Sequence, residues 1–213
     1  MLQQPLRLVQ PALHAHPVSH RAPFHFSLRS CSRCSISGLG TVSIHPSPAD
    51  WQPMVVHPIE DRDRDWMEIT LRSSWGSTAI ARRAELLDVS KLSGFVARLD
   101  DAAAGLLTYL VDDEQLEIVT INSLRRGTGV GRALVEAAKE LALSSGCKTI
   151  VAITTNDNVN ALAFYQKVGF RIRDVFRDSV QEIRQLKPSL PDTGQHGIPI
   201  RDEIQLELSL TSD

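Results

Sequence analysis

The chain has 213 residues, 42% of them hydrophobic, enough for one domain whose single core buries roughly two-thirds of its unfolded surface. A formal net charge of -2 and a pI near 6.4 give no global electrostatic case for a nucleic-acid or anionic-membrane partner. No apolar run reaches the roughly 20 residues that span a bilayer, and three cysteines, Cys31, Cys34 and Cys147, cannot make a paired disulfide framework.

Residues 1–49 contain four Arg and five His but no Asp or Glu, whereas acids begin at Asp50 and abound after it. This shift divides the chain into a tail over 1–49 and a folded domain over 50–213. The acid-poor, Arg- and Ser-containing tail resembles an organellar transit peptide, but Pro5, Pro11, Pro17 and Pro23 interrupt any amphipathic helix. A disordered tail and an overlong gene start with Met54 as the working initiator are the alternatives. Cys31 and Cys34 form a CxxC beside His20 and His25, yet no second pair completes a zinc site, so no metal is expected. A cytoplasmic protein is the default, with organellar targeting left open.

From Met54 the chain reads as folded. "MVVHPI" is a short strand, and "EDRDRDWMEITLRSSWG" opens with acids, spaces Trp66, Ile69 and Leu71 for a helix in one or two pieces, and stops at Gly. "STAIARRAELLD", "GFVARLDD", "AAGLLTYLVDD" and "QLEIVTINS" predict three or four antiparallel strands. "SLRRGTGVGRALVEAAKELA" is a glycine-rich loop followed by a helix with Leu134, Ala138 and Leu141 on one face and Gly146 as its stop. "CKTIVAITT" is a fully buried type of strand. "NDNVNALAFYQKVGF" supplies an Asn cap, a short helix with Ala161, Leu162 and Tyr165 at helical spacing, and Gly169 as breaker. Strand "FRIRDVF", a helical piece, a Pro/Gly-rich loop and an alternating strand "DEIQLELSL" complete the domain.

Three glycines at alternate positions, Gly127, Gly129 and Gly131, stand directly before a helix. The amides that open a helix have no intrahelical partners and the helix dipole is positive there, so an anion such as a phosphate fits. Arg125, Arg126 and Arg132 add charge at the same place, while a tight strand-to-helix turn remains the plainer reading. The ATPase P-loop fails on spacing, because Gly131 is followed by Arg132 and Ala133 instead of Lys and Ser or Thr. The dinucleotide fingerprint fails too, since its third glycine would fall on Arg132 or Leu134.

"RGTGVG", Arg126 to Gly131, resembles the Q/R-x-x-G-x-G/A loop of the GNAT superfamily of N-acetyltransferases. "NVNALAFYQKVGF" is similar to that family's N-x-x-A-x-x-x-Y-x-x-x-G-F segment at Asn158, Ala161, Tyr165, Gly169 and Phe170. "WGS", "LKPSLP" and "GIPIRDEIQLEL" further resemble a bacterial subgroup of unspecified acceptor, from which the long stretch Arg177 to Asp202 departs. The resemblance implies an α+β GNAT fold, a central mixed and mostly antiparallel sheet flanked by helices. It implies acetyl transfer from acetyl-CoA to a primary amine by direct attack in a ternary complex, without metal or covalent intermediate. Dimers are common among similar proteins, and a non-catalytic CoA-binding module on the same fold is the alternative.

On that resemblance the backbone of Arg126, Gly127, Thr128, Gly129, Val130, Gly131 and Arg132 holds the pyrophosphate, and a free N–H near Ile121 bonds the thioester oxygen where the strand before the loop splays from its neighbour. Asn158 touches the cofactor as well as capping a helix. Tyr165, a phenol protonated at neutral pH, protonates the departing thiolate. Glu117 is the candidate base and Glu114 the alternate. Strict alternation would put Glu117 on one face with Val119 and Ile121. Trp75 lines an acceptor pocket or packs in the core; His57 and His196 are expected at the surface, without a role.

Overall fold

The protein, seen in a computed structural model, is described over residues 54–211, so the tail with Cys31, Cys34, His20 and His25 lies outside the described residues. In chain order the elements are β1 (Met54–Pro58), α1 (Arg64–Trp75), β2 (Ala79–Arg82), β3 (Glu85–Asp88), β4 (Ser93–Leu99), β5 (Ala102–Asp112), β6 (Gln115–Ser123), α2 (Val130–Ser144), β7 (Thr149–Thr155), α3 (Val159–Lys167), β8 (Arg171–Phe176), α4 (Val180–Leu186) and β9 (Glu203–Ser209). Seven strands form one sheet in the order β1-β4-β5-β6-β7-β9-β8. Every neighbouring pair is antiparallel except β6 with β7. Among the described residues no helix is long and apolar enough to cross a membrane.

The run "STAIARRAELLD" is a hairpin of its own, β2 paired with β3 outside the main sheet. Its two-residue turn places Arg83 at φ 45° and Ala84 at φ 58°. Hairpin twist favours positive φ at both central positions, which normally selects Asn-Gly. Two L residues with a Cβ cost roughly 1–2 kcal/mol each there, so the packing around the hairpin must hold the turn. With no Gly, Asn or Asp to mark it, the sequence gives no turn signal.

Each face of the sheet has its own core. Helix α1 lays Met67 and Leu71 against Val96, Leu106 and Val119. On the opposite face α2 and α3 bury Leu134, Val135, Ala138, Ala142 and Tyr165 against Leu107, Leu116, Ile118, Ile150, Ala152 and Leu206. Burying each such leucine stabilises the fold by roughly 1.5–3 kcal/mol relative to leaving it in water. Helix α2 ends as its sequence predicts: Gly146 has φ 78°, its N–H reaches Leu143 O at 3.2 Å, and the Cys147 N–H reaches Ala142 O at 2.8 Å. That pair of bonds satisfies carbonyls the helix would otherwise leave open.

Two irregularities in β6 open the sheet. Opposite β5, Thr108 pairs with Thr120 and Tyr109 with Ile118, which leaves Val119 as an extra residue, a β-bulge. On the other side, parallel pairing with β7 runs only from Gln115 with Thr149 to Ile118 with Ala152. Beyond it the two strands are not paired to each other, while β7 stays paired with β9 as far as Thr155 with Glu203. A cleft therefore opens between the carboxyl ends of two parallel strands, the place where open α/β sheets bind ligands.

Candidate active site

The glycine loop joins the splayed end of β6 to α2. Gly129, the N-cap, has φ 83° and Gly127 has φ 78°, so both occupy the left-handed region that a side chain disfavours. Gly131 serves differently: a Cβ there would stand 3.0 Å from Phe164 Cε2, so its bareness lets α2 approach α3. The Thr128 hydroxyl donates to Arg125 O at 2.8 Å and ties the loop to itself. The first intrahelical bond is Ala133 N–H to Gly129 O at 3.0 Å, which leaves the N–H groups of Val130, Gly131 and Arg132 without helical acceptors. Arg125, Arg126 and Arg132 are exposed, and among the described residues none of them pairs with a carboxylate.

Ile121 lies in the splayed part of β6, beyond the last residue paired with β7. Alternation had put it on the face of Glu117 and Val119; the bulge at Val119 turns it over. Val119 packs under α1 while Ile121 packs with the α2 core, together with Leu116 and Ile118. Asn122 returns to the α1 face, where its Oδ1 accepts from Trp75 Nε1 at 3.2 Å. Trp75 thus packs in the α1 core and also fastens the end of α1 to the cleft wall. Its carbonyl and that of Ala79 accept from Lys187 Nζ at 3.2 and 3.1 Å, which draws the segment after α4 over the same edge.

Glu117 sits two residues before the bulge and is 8% exposed. Its Oε1 lies 2.7 Å from Arg82 Nε, and both atoms are sealed from solvent yet not aligned for a hydrogen bond, so the contact is ionic. Burial pushes the Glu117 carboxyl up; Arg82 and Arg83 oppose that push, and Glu85 and Glu203 add to it. Glu114, by contrast, is an exposed turn residue paired with Lys148 at 2.5 Å, beside the first paired residues of β6 and β7 and at the opposite end of β6 from the loop.

Asn158 caps α3: its Oδ1 accepts from Ala161 N–H at 3.2 Å and from Gln195 Nε2 at 3.2 Å. With Oδ1 taken twice, the amide N–H₂ is the end left to meet a ligand. Gln195 comes from the long stretch that departs from the family pattern, and it is held there. Its N–H donates to Asp157 Oδ2 at 3.1 Å and its Oε1 accepts from Asn160 Nδ2 at 3.0 Å. The neighbouring Gly194 leaves room for Asp157, whose Oδ2 a Cβ would meet at 1.9 Å.

Tyr165 lies two turns after Asn158 on the same helix, 4% exposed between the rings of Phe164 and Phe170 at 5.4 and 5.1 Å. Burial pushes its phenol far above the ordinary value, so it stays protonated at every working pH. His57, expected at the surface, is instead largely enclosed, with 11% of its side chain exposed. Its Nε2 accepts from Arg98 Nε at 3.2 Å, within the network that holds buried Asp63. His196 occupies a left-handed turn at φ 55°. Among the described residues no group of three His, Cys, Asp or Glu stands close enough to hold a metal ion.

Sequence reasoning did not reach Arg82, Asn122, Asp157, Gln195 and Glu203. All except Gln195 sit in or beside strands where they read as solvent-facing polar positions, and only the hairpin and the long stretch folding back show that those faces are covered.

The GNAT acetyltransferase family model matches residues 59–170. The protein YdhI of Bacillus subtilis is 36% identical over 152 residues, which is 71% of this chain and 95% of that one. A Bacillus subtilis acetyltransferase crystallised in complex with CoA is 26% identical with a TM-score of 0.57, over 73% of this chain and 98% of that one. The IAA acetyltransferase of Bacillus cereus has the same fold, with 24% identity and a TM-score of 0.59 over 74% of this chain and 99% of that one.

Proposed function

The chain belongs to the GNAT acetyltransferase family, and from that premise we propose that it transfers the acetyl group of acetyl-CoA to a primary amine by direct attack in a ternary complex. The observation that carries this reading is the juxtaposition of the cleft between β6 and β7 with a loop of unpartnered helix-opening amides and three unpaired arginines. The amides of Arg126 to Arg132 take the pyrophosphate, and the Asn158 N–H₂ bonds the cofactor from the other side of the cleft. A backbone N–H of the splayed segment near Ile121 bonds the thioester oxygen and stabilises the oxyanion as it forms.

The acceptor enters from the α1 face, between Trp75, Asn122 and the hairpin. Glu117 removes the ammonium proton directly or through water, which its raised titration range suits. The freed nitrogen attacks the carbonyl carbon, the carbon–sulfur bond breaks, and Tyr165, always loaded with its proton, protonates the leaving sulfur.

The test is thermal unfolding of the full chain with acetyl-CoA, ATP or NAD, followed by free-thiol release with a panel of polyamines, amino-acid derivatives and peptide N-termini. At one hundred times the dissociation constant a ligand adds about 2.7 kcal/mol, worth roughly 5–11 °C in a domain of this size. A rise selective for acetyl-CoA with thiol release supports the reading. No rise removes the donor assignment, and a rise without thiol release from any amine moves the chain to the non-catalytic reading.

A further inference from the structure

The β2–β3 hairpin forms no part of the main sheet, yet it is fastened to it at several points. At its tip the Arg83 N–H donates to both carboxylate oxygens of Glu203, at 3.1 and 3.3 Å, and Glu203 is only 2% exposed. The Arg83 guanidinium lies over the Phe176 ring, 5.5 Å from its centroid. Beneath the tip is a cavity of about 230 Å³ lined by Arg83, Ala84, Phe176, Ser179, Glu182 and Glu203. At its base Lys187 holds Ala79 O. These contacts maintain two consecutive left-handed residues that carry side chains, and a strained turn persists only where its surroundings over-determine it.

What the strain secures is the position of Arg82. That residue follows Ala81 at the end of β2, has 13% of its side chain exposed, and stands between Glu85 at 3.7 Å and Glu117 at 2.7 Å. A two-pronged arginine fork would occupy both carboxylate oxygens. Here a single nitrogen contacts Oε1, which supplies charge without the second prong that would take Oε2. That is the geometry a proton acceptor needs. We propose that the hairpin is a positioning device for Glu117: Arg82 holds the carboxylate in place and ionised, and Glu203 pins the turn that delivers Arg82. This rests on the reading of Glu117 as the base.

The charged groups facing Glu117 are Arg82, Arg83 and Glu85 on the hairpin and Glu203 on β9, and they pull in opposite directions. Neutralising Arg82 must therefore move the Glu117 titration to higher pH, and neutralising Glu203 must move it to lower pH. The opposite signs report that these charges face Glu117, and the pH profile of turnover reports whether that placement serves the base.

The measurement is carboxyl NMR of the full chain labelled with 13C-glutamate, with Glu117 assigned through Glu117→Gln. Arg82→Gln is expected to raise the Glu117 midpoint by about one pH unit or more. Arg82→Lys, which keeps the charge and guards against a misfolded first variant, should stay close to the parent. Glu203→Gln, whose amide oxygen still accepts from Arg83, should lower it. An unmoved midpoint in Arg82→Gln, or shifts of the same sign in both neutralised variants, overturns the proposal. Because the titration is read without cofactor or acceptor, that result stands whether or not acetyl transfer is found. If transfer is found, the acidic limb of its pH profile must move with the NMR midpoint, and a limb that stays put also overturns the proposal.

Discussion

Gly105 on β5 lies under the first turn of α2, and replacing it with alanine tests whether that turn is placed by close packing. A Cβ there would stand 2.3 Å from Val130 Cγ1 and 3.0 Å from both the Asn122 carbonyl oxygen and Leu134 Cδ1. Non-bonded carbons settle at about 3.5–4.0 Å, so the alanine must push Val130 away by more than about 1 Å. Val130 cannot swing aside, because a β-branched side chain in a helix keeps one rotamer about 90% of the time. The start of α2 has to lift instead. Overpacking of this kind costs about 1–3 kcal/mol, which lowers the unfolding midpoint of a domain this size by roughly 2–12 °C. The same lift displaces the Val130, Gly131 and Arg132 amides, and losing one such hydrogen bond to a charged phosphate, about 1.5–3 kcal/mol, weakens acetyl-CoA binding about tenfold or more. Thermal unfolding and calorimetric titration measure the two effects. Gly146→Ala is the control: its Cβ meets nothing within 4 Å at the far end of the helix, so its left-handed strain costs roughly 1–2 kcal/mol and leaves affinity alone. Parent-like affinity in Gly105→Ala, or equal affinity losses in the two variants, would refute the reasoning.

Tyr165→Phe should cut turnover about 100-fold or more while leaving acetyl-CoA affinity and the unfolding midpoint unchanged, because phenylalanine keeps the ring that packs between Phe164 and Phe170; a variant that loses stability but not turnover marks a packing tyrosine. Burial would raise the Asp63 carboxyl, but the Glu60 N–H, Arg98 and His57 outweigh it and hold Asp63 below its ordinary value. A group depressed in the folded state adds stability above its unfolded pKa and loses it as pH falls through the folded one. Asp63→Asn should therefore cost about 1.5–3 kcal/mol at neutral pH, and the gap to the parent should close in acid; a gap independent of pH in denaturant titrations contradicts this. Gln195→Leu frees the Asn158 amide and should weaken acetyl-CoA binding roughly 2–10-fold, the value of one hydrogen bond, with unchanged calorimetric affinity as the contrary result.

Apart from the β2–β3 hairpin, where three or four strands were expected and five form, the order of strands and helices, the loop glycines, the Asn158 cap and the Gly146 stop were legible, because each depends on residues a few positions apart. What could not be read depends on partners far along the chain. Arg83 and Ala84 make a hairpin turn without turn residues, held by Glu203, which follows 120 positions after Arg83. The bulge at Val119 exists only relative to β5, so the face of Ile121 came out reversed. Glu203 and Gln205 read as the polar side of an alternating strand, but β9 lies inside the sheet and both are at most 9% exposed. Gly131 looked like its two neighbours in the loop and instead makes room for Phe164.

Strand β9 is synthesised last among the described elements, yet it lies between β7 and β8. As the polypeptide leaves the ribosome, β1, β4, β5, β6 and β7 can pair in turn, but the outer edge of β7 and the whole of β8 must wait. Until then Thr149–Thr155, with sequence TIVAITT, presents an open edge that is uncharged, proline-free and rich in β-branched residues. Such an edge recruits strands from other molecules. The stretch from Arg177 to Asp202 prolongs the wait, since elongation runs at about 5–20 residues per second. The last strand to be made is thus the one that closes this edge, and a nascent or truncated chain lacking it carries the aggregation hazard.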